Sequence, residues 1–519
     1  MTTQESAEQP KVQSAEQPKG GSPFRLLMFT TLLISGCSIV YELIISALSS
    51  YLVGDSTLQY STTIGVYMFA MGIGSYLSRF IKKNLFDWFI AIEIGVGIFG
   101  GTCALLLFLA HLYLVAYSVV MYFEVVIIGI FVGAEIPVLT RIIENRGQNL
   151  RMTLSSIFSF DYLGGLAGSI AFPLLLLPHL GYFATCFLMG TCNIIAAILI
   201  LIKYKNDIKY HKIFSSIAIC MMTIMLSGLF FSENIGRHIE GGLYRDPIIL
   251  MEQSEYQKIV VTKHKNDVRL YIDGNVQFSS RDEYRYHEAL VHVPMSYVES
   301  PRDILILGGG DGMAARELLK YPDTNITLVD LDPVITELCR TSPIIRELND
   351  NSLENSRVHV INTDAYKYLE SVNRQFDLII VDLPDPNNTS LNKLYTNVFY
   401  RLCGRALRDG GILNIQSTSP YYATRAFWCI HKTLKSEGFN VRPYHLQVPA
   451  FGDWGFNMAV KGEFPQSRKI SVDTRYLTDK LIPALYLFAK DEITSDVEIN
   501  SMSKPILITY YNEAVRNWE

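Results

Sequence analysis

The chain has 519 residues, 49% of them hydrophobic, and a formal net charge of −5. That length calls for more than one domain, the apolar content points to a membrane, and the mildly acidic balance offers nothing to a nucleic acid. Of the eight cysteines none forms a C-x-x-C pair, and Cys37, Cys103, Cys186, Cys192 and Cys220 lie in apolar runs, so they read as small buried hydrophobes rather than as a disulfide framework or zinc site.

Residues 1–22 are polar and near-repetitive ("ESAEQPK", "QSAEQPK") and read as a disordered tail. They precede a long apolar stretch with no small-residue cleavage site, which reads as an anchor and not as a removed signal peptide. A span needs roughly 20 apolar residues. Residues 23–232 supply about seven such segments, at 24–53, 60–77, 88–110, 114–139, 154–177, 182–202 and 213–231, and read as a helical membrane domain. Lys and Arg cluster before or at the start of the first segment (Lys11, Lys19, Arg25) and after the second, fourth and sixth, while the other loops have none. The charge bias puts the N-terminus in the cytoplasm of a multi-pass cell-membrane protein. An odd number of crossings would then leave the second half outside unless one segment is re-entrant, so the side it faces stays open. Glu42, Glu93, Glu124, Glu135 and Asp161 fall within the segments. Such acids mark either a functional site or a polar packing network. "MGIGS" and "GGLAGS" supply small residues for close helix contact.

From about Glu233 the composition turns soluble. Residues 233–295 read as a linker and a small antiparallel β domain, because "IVVTKHKNDVRLYIDGN" alternates apolar and polar residues about a "KND" turn. A helical run, "RDEYRYHEALVHVPM", leads into 296–519. There "DILILGGGDG" is a strand running into Gly308, Gly309, Gly310, Asp311 and Gly312, followed by the helical "MAARELLKY". Glycines at a strand-to-helix turn let backbone approach a ligand closely. The next strand, "NITLVDLDP", ends in Asp330 and Asp332, placed to accept from ribose hydroxyls. Three more strands follow: "VHVINTDAYKYL" with Asp364 past its end, "FDLIIVD" ending in Asp382, and "GGILNIQSTS". Helical segments separate them, so the domain reads as a doubly wound, Rossmann-like parallel sheet with acids at successive strand ends. A dinucleotide dehydrogenase is disfavoured. Counted from Gly308 and Gly310, the third fingerprint glycine falls on Met313, and Asp311 inside the glycine turn would repel a pyrophosphate but attract a cation.

Six separated motifs, "SEYQKIVV", "IDGNVQFSSRDEYRYHEALVHVPM", "LILGGGDGMAARELLK", "VDLDP", "NTDAYKYL" and "FDLIIVDLPDP", resemble the spermidine synthase (polyamine aminopropyltransferase) family over roughly residues 248–487. The apolar half, notably "SIVYELIISALSSYLVG", is similar to the membrane extension of some bacterial members. The resemblance implies a methyltransferase-type fold and aminopropyl transfer from decarboxylated S-adenosylmethionine to putrescine, giving spermidine and methylthioadenosine, with no bound cofactor and no metal. It implies that Gln257, Asp311, Asp330, Asp364 and Ala365 hold the donor, that His287, Tyr286, Gln277, Asp311 and Asp385 line the amine path, and that Asp382 is catalytic. Partners would be amine and nucleoside substrates, the lipid bilayer and, since many members self-associate, a second copy of the chain. The chain departs from the family pattern in three places: Asp330 stands where Glu is usual, the loop "DLPDPNNTS" has Leu383 and Pro384 in place of small polar residues, and Phe451 replaces a common tyrosine. These bear on acceptor choice more than on the donor. Transfer from intact S-adenosylmethionine or to another amine, and a polyamine-binding transporter or sensor, remain the alternatives.

Overall fold

The structure, a computed structural model, describes residues 22–54, 56–113, 116–146 and 150–518. The expected disordered tail lies outside the described residues except for Ser22, and so do Leu114 and Val115 of the fourth expected span. The chain divides into two compact units, one running to Ile239 and one from Glu240 onward that also takes in Ser49–Gln59.

The first unit is helical, and with the Ser49–Gln59 stretch its helices are α1 (Ser22–Val53), α2 (Ser56–Ser78), α3 (Leu85–Tyr113), α4 (Tyr117–Glu144), α5 (Leu150–Ala171), α6 (Leu177–Lys203) and α7 (His211–Phe230). Five segments among the described residues, against the seven expected, are long and apolar enough to cross a bilayer: Arg25–Val53, Leu85–Tyr113, Tyr117–Glu144, Leu154–Lys203 and His211–Phe230. Two causes account for the difference. Serines, threonines and a glutamine crowd the first turns of α2, which lowers its hydropathy. The expected fifth and sixth spans run together as one 50-residue stretch, wound through a π-turn at Phe172–Leu176 and bent at Gly181, where φ is 71°.

Glycines set the helix contacts. A Cβ on Gly133 of α4 would lie 2.0 Å from the Met71 carbonyl oxygen of α2, and one on Gly168 of α5 would lie 2.5 Å from Gly36 O of α1. Backbones touch at these seams, as small residues allow. The buried acids are only partly engaged. Tyr41 Oη donates to Asn193 Oδ1 (3.0 Å) and Asn193 Nδ2 donates to Glu93 Oε2 (3.2 Å). Glu93, Glu124 and Glu135 each keep one buried oxygen with no hydrogen-bond partner among the described residues.

The second unit begins with a four-stranded antiparallel sheet in sequential order: β1 (Ile248–Gln253), β2 (Lys258–His264), β3 (Asp267–Ile272) and β4 (Asn275–Ser279). The β2–β3 turn is the expected one, since His264 pairs with Asp267 across Lys265 and Asn266. Asp273 (φ 47°) and Gly274 (φ 81°) turn β3 into β4, the positive-φ pair that a tight hairpin demands.

The helix Glu283–Met295 then leads to a seven-stranded sheet built from β5 (Asp303–Gly308), β6 (Asn325–Asp330), β7 (Val358–Asn362), β8 (Phe376–Asp382), β9 (Leu407–Gln416), β10 (Asn440–Val448) and β11 (Gly452–Val460). Its order is β10-β11-β9-β8-β5-β6-β7. Strands β5 to β9 are parallel, as the strand–helix alternation implies, while β11 pairs antiparallel with both β9 and β10. The sheet is therefore mixed. The continuous apolar runs of β5 and β8 are buried on both faces, against helices on each side that form two separate hydrophobic clusters. Strand order reverses beside β5, so the carboxyl ends of β5, β6 and β8 open on one crevice, the usual ligand position in such sheets.

Candidate active site

The glycine turn after β5 is shaped by contact. Gly308 and Gly309 have φ of 86° and 65°, and a Cβ on Gly308 would meet Asp382 O at 2.1 Å. Gly309 N donates to that same carbonyl (3.0 Å), so the glycines lock the end of β5 onto the end of β8. Gly312, at φ 81°, starts the helix Met313–Leu319, and Asp311 Oδ1 accepts from Met313 N (2.9 Å).

Asp382 is the last residue of β8. Its Oδ1 accepts a 2.6 Å hydrogen bond from Tyr286 Oη. Burial pushes its carboxyl up to about 6, with the Asp311 charge adding to the rise and His287 and the Tyr286 bond opposing it. Asp330 ends β6 and accepts from Gly310 N (3.1 Å) and Asp332 N (3.0 Å). Burial also raises Asp330 to about 6, the charges of Asp332 and Asp311 adding to it. Asp311, Asp330 and Asp382 thus share one electrostatic neighbourhood, and no Lys or Arg forms an ion pair with any of them among the described residues. An edge of this kind raises the local concentration of small cations.

Tyr286 and His287 come from the helix Glu283–Met295. The Tyr286 ring lies edge-on to Phe451 at 6.1 Å and tilted on Phe456 at 5.3 Å. His287 Nδ1 contacts Glu283 Oε2 (2.8 Å) and the Glu283 carbonyl (2.9 Å). Burial opposes the imidazolium, yet the Glu283 bond and the charges of Glu283, Asp311 and Asp382 raise His287 to about 9.

The remaining expected residues have other partners. Gln257 Nε2 donates to Asp332 Oδ2 (2.9 Å), which also accepts from Ser254 Oγ (2.7 Å), so Gln257 joins the second strand end through Asp332 and not through Asp330. Asp364 caps the helix Ala365–Ser371, accepting from Tyr366 N (2.8 Å), and is ion-paired with Lys393. Burial resists its charged form, but the Lys393 bond and charge hold Asp364 below the usual carboxylate range. Ala365 opens that helix and is buried. Asp385 accepts from Gln416 Nε2 (3.2 Å) and Tyr511 Oη (3.0 Å), while Tyr395 Oη donates to Pro384 O (3.0 Å) and bridges the same loop. Burial raises the Asp385 carboxyl, the bonds from Gln416 and Tyr511 offsetting part of the rise. Gln277, on β4, donates to Asn275 O (3.2 Å) and, among the described residues, makes no hydrogen bond to any of the acids.

Glu283, Arg316, Tyr395, Gln416 and Tyr511 are additions that motif reading passes over. Only Glu283 carries a local signal, its four-residue spacing from His287 on one helix. The others arrive from distant strands and helices.

Negative strand ends surround glycine-rich backbone, with a phenol and an imidazole beside the central carboxylate, an arrangement suited to an α/β enzyme of small molecules. Residues 283–469 match the family model for the spermine/spermidine synthase domain. A polyamine aminopropyltransferase of Leptospira interrogans is 40% identical over 495 residues, spanning 95% of this chain and 98% of its own. Polyamine aminopropyltransferase 2 of Ralstonia nicotianae is 42% identical over 497 residues, spanning 94% of this chain and 98% of its own. A crystal structure of spermidine synthase in complex with the transition-state analogue AdoDATO aligns at 25% identity and a TM-score of 0.44, covering 47% of this chain and 85% of that one. The chain belongs to the polyamine aminopropyltransferase (spermidine synthase) family, and it is an enzyme of that class.

Proposed function

We propose that the enzyme transfers the aminopropyl group of decarboxylated S-adenosylmethionine to putrescine, releasing spermidine and methylthioadenosine. The observation that carries this reading is the cluster of Asp311, Asp330 and Asp382, which has no Lys or Arg partner among the described residues. Donor and acceptor are both cations near neutral pH, and a negative edge suits that pair.

Asp330 accepts the ribose hydroxyls, with Asp364, Ala365 and Gln257 flanking the nucleoside. Asp311 faces the donor's propylamine, and its charge disfavours intact S-adenosylmethionine, which carries one more carboxylate. Asp382 orients the acceptor and takes one proton from its ammonium, freeing a lone pair. Tyr286, His287, Gln277 and Asp385 line the acceptor path. The amine nitrogen then attacks the methylene carbon attached to sulfur. The C–S bond breaks, its electron pair returns to sulfur as a neutral thioether, and the proton leaves through Asp382. Because the sulfonium is already a good leaving group, positioning and deprotonation supply most of what remains.

In this reading the enzyme works from the cell membrane through its apolar unit. The test uses the full chain purified in detergent, offered each donor form with putrescine, cadaverine, agmatine or spermidine, and identifies products by mass. Spermidine and methylthioadenosine from the decarboxylated donor are the expected result. Equal use of intact S-adenosylmethionine, or a preference for another amine, would overturn the assignment.

A further inference from the structure

We propose that Glu283 and Arg316 are positioning residues for the transfer reaction, fixing the tautomer and ring orientation of His287 beside Asp311 and Asp382. The inference rests on the reading that Asp382 and His287 serve the acceptor amine, and it concerns how the imidazole is held there.

His287 Nδ1 is committed to Glu283 Oε2 (2.8 Å) and to the Glu283 carbonyl (2.9 Å). Nε2 has no hydrogen-bond partner among the described residues, which leaves it as the nitrogen open to substrate. A second group on the far nitrogen is what sets which imidazole atom exchanges its proton. Glu283 alone would be a loose anchor, but Arg316 grips it with a two-pronged fork, Nη1 to Oε1 (3.0 Å) and Nη2 to Oε2 (2.9 Å). Such a fork imposes geometry as well as charge. Arg316 is in turn fixed by Leu348 O (2.6 Å) and by Glu317 Oε1 (3.0 Å).

The arrangement exceeds what pinning two helices together requires. Arg316 and Glu283 would join the helices Glu283–Met295 and Met313–Leu319 without any histidine. Instead Glu283 Oε2 is shared between the guanidinium and the imidazole. The charged and titratable groups in reach of His287 are Glu283 and Tyr286 on its own helix, Asp311 from the glycine turn and Asp382 from β8, with Arg316 one step behind Glu283. With Nδ1–H held by Glu283, a proton joins or leaves His287 only at Nε2. The ring therefore gains or loses that proton without turning.

Glu283→Gln keeps an acceptor for Nδ1–H and removes the charge. In the full-length enzyme kcat/KM followed against pH reports the titration of the free enzyme. The limb belonging to His287 should move to lower pH by at least about one unit, with kcat falling at least about tenfold. Arg316→Ala leaves the Glu283 charge un-neutralised, so the limb should not fall with it, while kcat should drop because the carboxylate has lost its fork, and Arg316→Lys should lose less. The Arg316 side chain borders a cleft of about 560 Å³, so added methylguanidine should restore part of the Arg316→Ala loss. Melting temperature is the control for folding, and Glu283→Gln, being isosteric, carries the test if Arg316→Ala does not fold. A Glu283→Gln enzyme with an unmoved pH profile would overturn the inference, whatever its melting temperature. If Asp382→Asn also left turnover intact, the reading of the whole site would have failed. If Asp382→Asn abolished turnover while Glu283→Gln moved nothing, only the positioning role would fall.

Discussion

The Tyr286 phenol donates a 2.6 Å hydrogen bond to Asp382 Oδ1, tying the helix that precedes the glycine turn to the end of the central strand β8. The bond favours the carboxylate, while burial and the Asp311 charge favour the acid, and the balance stands at about 6. A base must be ionised to accept a proton, so activity should be present above that value and fall as pH drops through it. Asp382→Asn should lower kcat by at least about a hundredfold. Tyr286→Phe should keep part of the activity and move the acid limb of kcat/KM upward, because a bond holding the carboxyl down has gone. A limb that moved down would contradict the assignment.

Substitution at Asp330 tests whether that carboxylate serves binding or chemistry. Its two oxygens are held by the backbone N–H groups of Gly310 and Asp332, so its position does not depend on substrate. Replacing it with Ala should raise the donor KM about tenfold to a hundredfold, the range expected for a lost hydrogen bond to a charged group. The change in kcat should stay within about threefold if the group binds donor and transition state alike. Steady-state kinetics at saturating amine measures both. A fall confined to kcat would move Asp330 into the chemical step.

Much of this edge is readable from sequence. Asp330 and Asp382 each close a short apolar run, and the run of glycines between β5 and the following helix announces close backbone contact. What escapes sequence is long-range pairing. Nothing near Asp364 signals that Lys393 neutralises it, and Arg316 meets Glu283 across 33 positions. The antiparallel pair β10 and β11 is hidden because Pro443 and a glycine-bounded turn interrupt its pattern. In the apolar half, hydropathy alone could not tell that one 50-residue stretch bends at Gly181 instead of looping.

Glu317 links folding to pH. Burial resists its ionisation, but His292, Lys320 and Arg316 hold the carboxyl down to about 2, with His292 Nε2 at 2.8 Å. A carboxyl depressed in the folded state stabilises above its ordinary value, about 4.3, and loses that contribution as pH falls toward the folded one. Glu317→Gln should cost about 3 kcal/mol near neutral pH, because Lys320 and Arg316 lose a buried counter-charge and His292 loses a charged partner. Thermal melts of the full chain between about pH 5 and about pH 2 should then fall less steeply for the variant than for the parent. Parallel curves would show that other carboxylates dominate acid unfolding.

The seam between α2 and α4 contrasts with an open glycine on the same helix. A Cβ on Gly133 would fall 2.0 Å from Met71 O, and one on Gly74 would fall 2.0 Å from Ile130 O, whereas a Cβ on Gly65 of α2 meets nothing within 4 Å. Neither obstacle is a flexible side chain that could swing aside, so Gly133→Ala forces the two helices apart. Overpacking of this kind costs about 1–3 kcal/mol. Gly65→Ala adds the same methyl in open space and removes backbone freedom from the unfolded chain, which should stabilise by about 0.4–1 kcal/mol. Melting temperatures of the full chain in one detergent should therefore shift in opposite directions for the same chemical change. Equal shifts would mean that the helices have room to spare and that glycine at these positions serves something other than their approach.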